Sequence, residues 1–308
     1  MQDRRAAASA SSTSTSAAAV PPGGLTDDDW SLLIGRIRAG NCTPFLGAGV
    51  SFGTLPLGAD IARKWSEQYG YPLDDAHDLA RVAQFLAIRR NDGMFPKEAI
   101  VEELRRGPPD FSASEEPHAC LADLPLPVFM TTNYDDFMVQ ALQAAGKEPK
   151  RDICRWNDSP ALQAQRRVLT PAFTPTPANP IVFHLHGHVS VPESIVLTED
   201  DYLDFLVSIS SEPKLLPHQI KKALAGASLL FIGYRLADWD FRVLHRGLVM
   251  AGEQSLRRLS VTVQLRPTDP EREYLEQYFG ALNVRVYWGT AKEFAVDLRR
   301  RWREAARG

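Results

Sequence analysis

The sequence predicts a doubly wound, Rossmann-like α/β fold, in which a mainly parallel sheet carries helices on both faces. Short apolar segments alternate along the chain with amphipathic segments of helical periodicity. Most apolar segments are continuous runs, such as residues 228–233, and lack the strict alternation of a strand with one face in water. This order and this composition are typical of parallel strands joined by helical crossovers.

The chain is expected to begin with a disordered tail, residues 1–24, followed by one ordered domain, residues 25–308. The tail consists largely of Ala, Ser and Thr and has too few apolar residues to order itself. It lacks the continuous apolar run of a secretory signal, so export is not expected. Thr26, with Asp29 three residues later, predicts the N-cap of a first helix that ends near Gly40.

Strands and helices are then predicted in alternation. The predicted strands are residues 44–46, 127–131, 181–186, 194–197, 228–233, 260–265 and 284–288. The predicted helices are residues 59–69, 79–89, 97–106, 134–145, 199–207, 217–225, 239–250, 270–279 and 292–306. Helices between the first two strands indicate a helical insertion at about residues 57–120, and the proline-rich residues 157–180 predict a loop.

Composition and charge exclude several classes of protein. Hydrophobic residues make up 44% and charged residues 24% of the chain, as in ordinary globular proteins. The 35 basic and 38 acidic side chains give a net charge of −3, which argues against a direct nucleic-acid site. No apolar run is long enough to span a membrane. Cys42, Cys120 and Cys154 form no CxxC pair, so neither a disulfide framework nor a four-thiolate zinc site is expected, and a reducing cytoplasm fits best.

Four predicted strands end in glycines or polar side chains. The four exits are Gly47-Ala48-Gly49-Val50-Ser51, Thr131-Thr132-Asn133-Tyr134-Asp135-Asp136, His184-Leu185-His186-Gly187-His188 and Gly233-Tyr234-Arg235-Leu236. The carboxyl ends of parallel strands lie at one edge of a sheet, where doubly wound folds bind ligands. The four exits are therefore expected to converge on one ligand site.

The first exit has two interpretations. Glycines let a backbone approach a phosphate, and the helix that follows offers unpaired N–H donors. The dinucleotide fingerprint needs a glycine three residues after Gly49, whereas Gly53 comes four residues after it. A glycine turn that serves only tight packing therefore remains the alternative.

The polar residues of the second and third exits also have alternatives. Asn133 or Asp135 could cap the following helix instead of binding a ligand. A strand period of two would align three histidines on one face, but Gly187 is expected to end the strand before His188. No acidic or thiol ligand stands at a matching zinc spacing, so a general base is favoured over a metal site. His184, deeper in the strand, is the candidate for a core histidine.

Taken together and in this order, the four motifs resemble the sirtuin superfamily, and most closely the sirtuin-like domains of bacterial anti-phage systems. The resemblance runs from about residue 25 to the C-terminus. It implies NAD+ as the ligand, with the pyrophosphate held by the glycine turn. The residues implied to bind the cofactor are Gly47, Ala48, Gly49, Ser51, Thr132, Asp135, Gly233 and Tyr234.

The resemblance also implies catalytic roles for Asn133 and His186. Asn133 would order the nicotinamide ribose and a water molecule, and His186, directly before a glycine, matches the catalytic base of the family. Asp135 would hold its loop or contact a ribose, and Gly233 and Tyr234 would meet the adenosine half.

Departures from the family pattern favour one activity. The protein deacylases of the family have a zinc module of two CxxC pairs, which this chain cannot build. They also continue the glycine turn into a Pro-Asp-Phe-Arg segment, where this chain has residues 55–60, and Arg63 is the candidate to replace the missing arginine. The resemblance therefore implies an NAD+ glycohydrolase that depletes the cofactor during phage infection.

Two alternatives remain open. One is a protein deacylase or ADP-ribosyltransferase, and the other is a catalytically silent nucleotide-binding module within a defence complex. Because an unregulated NAD+ hydrolase would kill its host, we expect activation by homo-oligomerisation or by a separate sensor. The resemblance suggests a HerA-like ATPase, a short Argonaute or a nucleotide-sensing subunit as the partner. The basic segment 299–303 is expected to be a solvated helix face that could also dock a partner.

Overall fold

A computed structural model describes residues 24–211, 215–234 and 259–307. The predicted helix at 239–250 and the predicted tail, apart from Gly24, lie outside the described residues. Gly24 packs closely against the last strand, because a Cβ at this position would lie 2.3 Å from the Val286 carbonyl oxygen. Within the described ranges, no helix combines the length and the apolar character needed to cross a membrane.

The described residues form a seven-stranded sheet in which every neighbouring pair is parallel. Its strands are β1 (Cys42–Leu46), β2 (Val128–Thr131), β3 (Lys150–Ile153), β4 (Ile181–His184), β5 (Ser228–Ile232), β6 (Ser260–Gln264) and β7 (Val284–Trp288). Their order across the sheet is β3-β4-β2-β1-β5-β6-β7. The predicted doubly wound, Rossmann-like class is confirmed.

Helices cover both faces of the sheet. They are α1 (Asp27–Arg38), α2 (Gly58–Tyr69), α3 (Leu79–Arg90), α4 (Phe95–Glu103), α5 (Pro117–Ala122), α6 (Phe137–Ala144), α7 (Pro160–Gln163), α8 (Glu199–Ser211), α9 (His218–Gly226), α10 (Asp269–Ala281) and α11 (Ala291–Arg307). Alternate residues of β1 enter different clusters, Leu46 packing with α1, α6 and α11 and Phe45 with α8, α9 and α10. The sheet is therefore buried on both faces, which explains its continuous apolar strands.

The predicted start of α1 is confirmed in its details. Thr26 Oγ1 accepts a hydrogen bond from Asp29 N at 3.1 Å, and Asp29 Oδ2 accepts one from Thr26 N at 3.0 Å. The two bonds satisfy donors that the first turn of a helix otherwise leaves unpaired.

The four chemically unusual exits lie side by side, as predicted. Strands β4, β2, β1 and β5 are consecutive in the sheet, and their last residues are in register. Thr131 pairs with His184 on one side and with Leu46 on the other, and Leu46 pairs with Ile232. The turns that follow these four strands therefore lie together at one edge of the sheet.

Four local expectations differ from the structure. Residues 194–197 are not a strand: a 3₁₀ turn spans Pro192–Ser194, and Val196 N donates to the His186 carbonyl at 2.9 Å. The edge strand β3 was not predicted, because Lys150–Ile153 is mostly charged and lacks an apolar run. The six-residue α5 was also not predicted, and the loop expected at 157–180 contains the single turn α7.

Helices α2 to α5 lie between β1 and β2. Helices α2, α3 and α4 share a small core around Trp65 and Leu86, whereas the buried residues of α5 pack with α1, α6 and α11. The buried Lys97 of α4 donates to Asp201 Oδ1 of α8 at 2.7 Å, and Asp201 Oδ2 accepts from Thr198 N at 3.0 Å. These bonds attach the helices after β1 to the start of α8, the helix that also carries Tyr202 and Phe205.

The basic segment of α11 is largely engaged within the chain. Arg299 donates to the Ala113 carbonyl at 3.1 Å, and Arg301 pairs with Asp27 at 2.7 Å while lying over the Trp30 ring. These arginines contribute to the fold, so their positive charge is not simply a solvated face.

Candidate functional site

The turns after β1 and β5 interlock through glycines. Gly47 N donates to the Ile232 carbonyl and Gly49 N to the Gly233 carbonyl, both at 2.9 Å. Gly233 has a φ of +83°, and a Cβ there would lie 2.4 Å from Val50 N. The glycines are therefore required for packing one turn on the other, and the Gly49 N–H already has an acceptor.

Ser51 is the polar side chain of the first turn that lacks a partner. It is 4% exposed, and its Oγ makes no hydrogen bond within the described residues. Ala48, at the other end of this short 3₁₀ turn, is exposed. Because a buried hydroxyl without a partner costs free energy, Ser51 Oγ is a donor that a ligand at this turn could satisfy.

Asn133 is held at three of its polar atoms. Its main-chain N–H donates to Thr131 Oγ1 at 2.9 Å, and its side-chain Nδ2 donates to the Gly47 carbonyl at 3.2 Å. Its main-chain carbonyl accepts from His184 Nδ1 at 3.0 Å. A carbonyl can only accept, so the contact with Gly47 identifies Nδ2 and leaves the amide Oδ1 outside this set of bonds.

A chain of hydroxyls joins the second and fourth exits. Thr132 Oγ1 donates to the Tyr234 hydroxyl oxygen at 3.1 Å, and the Tyr234 hydroxyl donates to the Leu46 carbonyl at 3.0 Å. Thr132 N also donates to the Leu46 carbonyl at 3.0 Å. Three of the four exits are therefore connected directly by hydrogen bonds.

Asp135 lies one residue before Asp136, the N-cap of α6, and its carboxylate accepts from the first N–H of the helix. Asp135 Oδ1 accepts from Phe137 N at 2.9 Å, and burial raises the pKa of its carboxyl above the ordinary value. Asn133 takes no part in this contact. The carboxylate thus holds the turn that carries Asn133.

His186 lies apart from the hydrogen-bonded residues. Its ring is 3% exposed and packs edge-on against Tyr202 at 5.5 Å and Phe205 at 4.9 Å, both from α8. Within the described part of the chain its side chain makes no hydrogen bond with Asn133 or the glycine turns. Burial lowers the pKa of His186 to about 3, so the imidazole is neutral at physiological pH.

The other two histidines form a separate cluster with Asp136. Ligand-type atoms of Asp136, His184 and His188 lie within 4.8 Å of one another, an arrangement that could hold a metal ion. However, Arg151 Nη1 lies 2.6 Å from Asp136 Oδ2 and 3.0 Å from His188 Nε2. A guanidinium already supplies the positive charge, and with His188 it holds the pKa of Asp136 below its usual range.

Sequence reasoning did not find Arg151 or its pairing with Asp136. Arg151 comes from the charged edge strand β3, and its contact with Asp136 spans 15 residues of sequence. The sequence offers only a weak signal for β3: its four residues are three charged side chains followed by one apolar side chain, a pattern that does not identify a strand. His184 and His188 are in contact, with ring centroids 4.8 Å apart, so the three histidines do not form one row.

The parallel sheet and the four adjoining exits define this chain as a Rossmann-like domain with a candidate ligand site at the carboxyl edge of its strands. The family model described as "SIR2-like domain" matches residues 127–287, which is more than half of the chain. The protein belongs to this SIR2-like family.

Curated relatives are similar over most of this chain. The NAD(+) hydrolase ThsA of Acinetobacter baumannii is 23% identical over 233 residues, which cover 73% of this chain and 43% of the relative. The NAD(+) hydrolase ThsA of Bacillus cereus is 26% identical over 244 residues, covering 76% and 46%. This chain therefore spans less than half the length of these two relatives. A solved structure described as "Structural Basis for the Mechanism and Regulation of Sir2 Enzymes" aligns with a TM-score of 0.43 and 12% identity, over 92% of this chain and 100% of the other.

Proposed function

We propose that this domain is an NAD+ glycohydrolase, which cleaves the bond between nicotinamide and ribose with water and releases nicotinamide and ADP-ribose. The observation that carries the proposal is the direct contact of Asn133 with Gly47 at adjoining strand ends of a SIR2-like chain. The names of the curated relatives, NAD(+) hydrolase ThsA, support the same activity.

The glycine turn and Ser51 are proposed to bind the pyrophosphate. The turn ends in a short 3₁₀ segment, Ala48–Ser51, whose exposed first residue leaves room for a ligand. Ser51 Oγ–H can donate to a phosphate oxygen, and a hydrogen bond to a charged acceptor is stronger than one to a neutral acceptor. Gly47, Gly49 and Gly233 contribute by the close packing of the two turns.

Asn133 and His186 are proposed to act at the ribose. Nicotinamide leaves a cationic pyridinium as a neutral molecule, so the ribose passes through a state that resembles an oxocarbenium ion. The amide Oδ1 of Asn133 can accept from the attacking water or from a ribose hydroxyl, while its Nδ2 stays on Gly47. The neutral imidazole of His186 can accept a proton directly or through a ribose hydroxyl.

Replacing Ser51 by alanine should weaken NAD+ binding about tenfold or more, because it removes a hydrogen bond to a charged group that is worth about 1.5–3 kcal/mol. The free energy of unfolding should stay unchanged or rise by up to about 1 kcal/mol, since a buried hydroxyl without a partner is lost. Calorimetric titration with NAD+ and urea unfolding measure the two quantities.

Ser228→Ala is the matched control for this substitution. Ser228 Oγ is also buried and without a partner in the described residues, but it lies at the start of β5, at the opposite end of the strand from Gly233. Its loss should leave the dissociation constant for NAD+ unchanged. Equal weakening by both substitutions would refute the role given to Ser51.

The acid limb of the pH profile should lie well below the ordinary histidine range. An unperturbed histidine with a pKa of 6.5 would lose half of its basic form at that pH, whereas His186 stays neutral until the pH approaches about 3. We therefore expect kcat/KM for nicotinamide release to change less than about twofold between pH 5.5 and 8. An inflection near pH 6.5 that disappears in His186→Gln would show that burial does not set this pKa.

The cellular role is proposed to be NAD+ depletion in anti-phage defence, switched on by oligomerisation or by a separate sensor subunit. The motif resemblance supports this role, and the toxicity of unregulated NAD+ hydrolysis to a host supports the need for a switch. The three free, buried cysteines are compatible with a reducing cytoplasm. A lone monomer with full activity would contradict the switch.

The direct test is to incubate the purified protein with NAD+ and to measure nicotinamide and ADP-ribose by chromatography, alone and with the products of neighbouring genes. Release that needs only water identifies a hydrolase. Release that requires an acylated or acceptor protein would identify a deacylase or an ADP-ribosyltransferase. Binding of NAD+ without release under every condition would identify a silent nucleotide-binding module.

A further inference from the structure

A cluster of four polar side chains adjoins the main chain of Asn133, and the activity proposed above gives it no role. It consists of His184 at the end of β4, His188 after the Gly187 turn, Asp136 before α6 and Arg151 of β3. His184 and His188 are 1% exposed, yet both carry polar atoms that need partners. A hydrogen bond joins this cluster to a proposed catalytic residue: His184 Nδ1 donates to the Asn133 carbonyl at 3.0 Å.

That bond determines the tautomer of His184. The Asn133 carbonyl can only accept, so the proton of the neutral imidazole is on Nδ1. His184 Nε2 then carries a lone pair, and it is buried without a hydrogen bond in the described residues. A second proton on Nε2 would therefore have no acceptor. The ring donates through Nδ1–H alone, to the Asn133 carbonyl.

The rest of the cluster favours this state. Ser190 N donates to His188 Nδ1 at 3.0 Å, and His188 Nε2 lies 3.1 Å from Asp136 Oδ1 and 3.0 Å from Arg151 Nη1. Asp136 Oδ2 is held by the Arg151 guanidinium at 2.6 Å. Burial is the main reason that the pKa of His184 is lowered, and the charges of His188 and Arg151 lower it further. The hydrogen bond to Asn133 and the charge of Asp136 raise this pKa, but by less.

Asn133 depends on this donor for its orientation. The other main-chain bond of Asn133, to Thr131 Oγ1, holds the N–H side of the residue, and the side chain reaches Gly47 with a bond of 3.2 Å. Without His184, the carbonyl loses its partner and the peptide that follows Asn133 can rotate. A displacement of about 1 Å at a catalytic group can cost about 10²-fold in rate.

We infer that His184 is a positioning residue for Asn133: its Nδ1–H fixes the Asn133 peptide, and the His188 ring packs edge-on against the imidazole. The inference rests on the proposed function for its effect on rate. Its effect on the mobility of the Asn133 turn does not depend on any activity.

The test compares His184→Leu with His184→Asn. The Nδ2 of an asparagine occupies nearly the position of histidine Nδ1 and can donate to the same carbonyl, whereas leucine cannot. We expect His184→Leu to lower kcat about 10- to 100-fold with KM changed less than about threefold, and His184→Asn to restore kcat to within about threefold of wild type. His77→Leu, at an exposed histidine, is the control for loss of a histidine alone.

Hydrogen exchange of the segment 131–137 gives the second readout. His184→Leu should accelerate exchange in this segment relative to wild type and His184→Asn, while the core strand β1 keeps its protection. Full kcat in His184→Leu, or equal loss in the leucine and asparagine variants, would overturn the inference. If the wild type releases no nicotinamide, the proposed function fails, and unchanged exchange in His184→Leu would then separately overturn the positioning role.

Discussion

Replacing His186 by alanine should lower kcat for nicotinamide release by about 10²–10⁴-fold, which is the usual contribution of general base assistance. The imidazole is buried, neutral and packed edge-on against Tyr202 and Phe205 of α8, so its loss removes a positioned proton acceptor. NAD+ binding should weaken much less, because the pyrophosphate contacts lie at the glycine turn. Steady-state kinetics together with calorimetric titration of NAD+ separate the two effects.

Asn133→Ala tests whether the two residues act on the same step. Asn133 contacts the glycine turn and His186 contacts α8, so each residue is anchored independently of the other. Residues that act on one transition state lose rate non-additively, and the double substitution should be little slower than the slower single one. His118→Ala is the control, because His118 is buried and bonded to Glu116 at 2.7 Å. Losses in His186→Ala and His118→Ala of the same size would indicate that general destabilisation explains the effect.

The convergence of the site was predictable because it depends on regular features of parallel sheets. Each exit was identified by residue types that follow an apolar run, and the consecutive order of β4, β2, β1 and β5 brought them together. The need for glycine in the turn after β1 could be predicted only in part. The sequence indicates a tight turn at Gly47 and Gly49, but their partner is Gly233, which is distant in the chain and is known only once the two strands are paired.

The histidine arrangement could not be predicted from the sequence, since it depends on where β4 ends, which is at His184 and not at the predicted residue 186. A strand continued through residue 188 would have aligned His184, His186 and His188. The strand ends instead at His184, the chain bends at residues 185 and 186, and Gly187 follows with a positive φ. His186 therefore faces α8, while His184 and His188 meet Asp136. Arg151 was missed for a different reason, because an edge strand of charged residues has no apolar pattern.

Gly187→Ala should therefore be among the most damaging single substitutions in the domain. The residue has a φ of +89°, which costs an alanine about 1–2 kcal/mol. A Cβ would also lie 2.2 Å from the Ser194 carbonyl oxygen and 2.6 Å from Ile195 N, both backbone atoms that cannot rotate away. Together with about 1–3 kcal/mol for overpacking, we expect a loss of about 2–5 kcal/mol in the free energy of unfolding, measured by urea denaturation.

Gly146→Ala separates the backbone strain from the steric clash. Gly146 has a φ of +77°, similar to that of Gly187, but a Cβ there would meet nothing within 4 Å. Gly146→Ala should lower the free energy of unfolding only by the cost of the positive φ, about 1–2 kcal/mol, and should keep wild-type kinetics. Gly187→Ala, by contrast, should lower kcat even in the folded fraction, because relief of the clash must move Ser194 or the turn that holds His186. Equal destabilisation by the two substitutions, with unchanged kcat in both, would mean that the turn relaxes freely and that His186 is positioned by α8 alone.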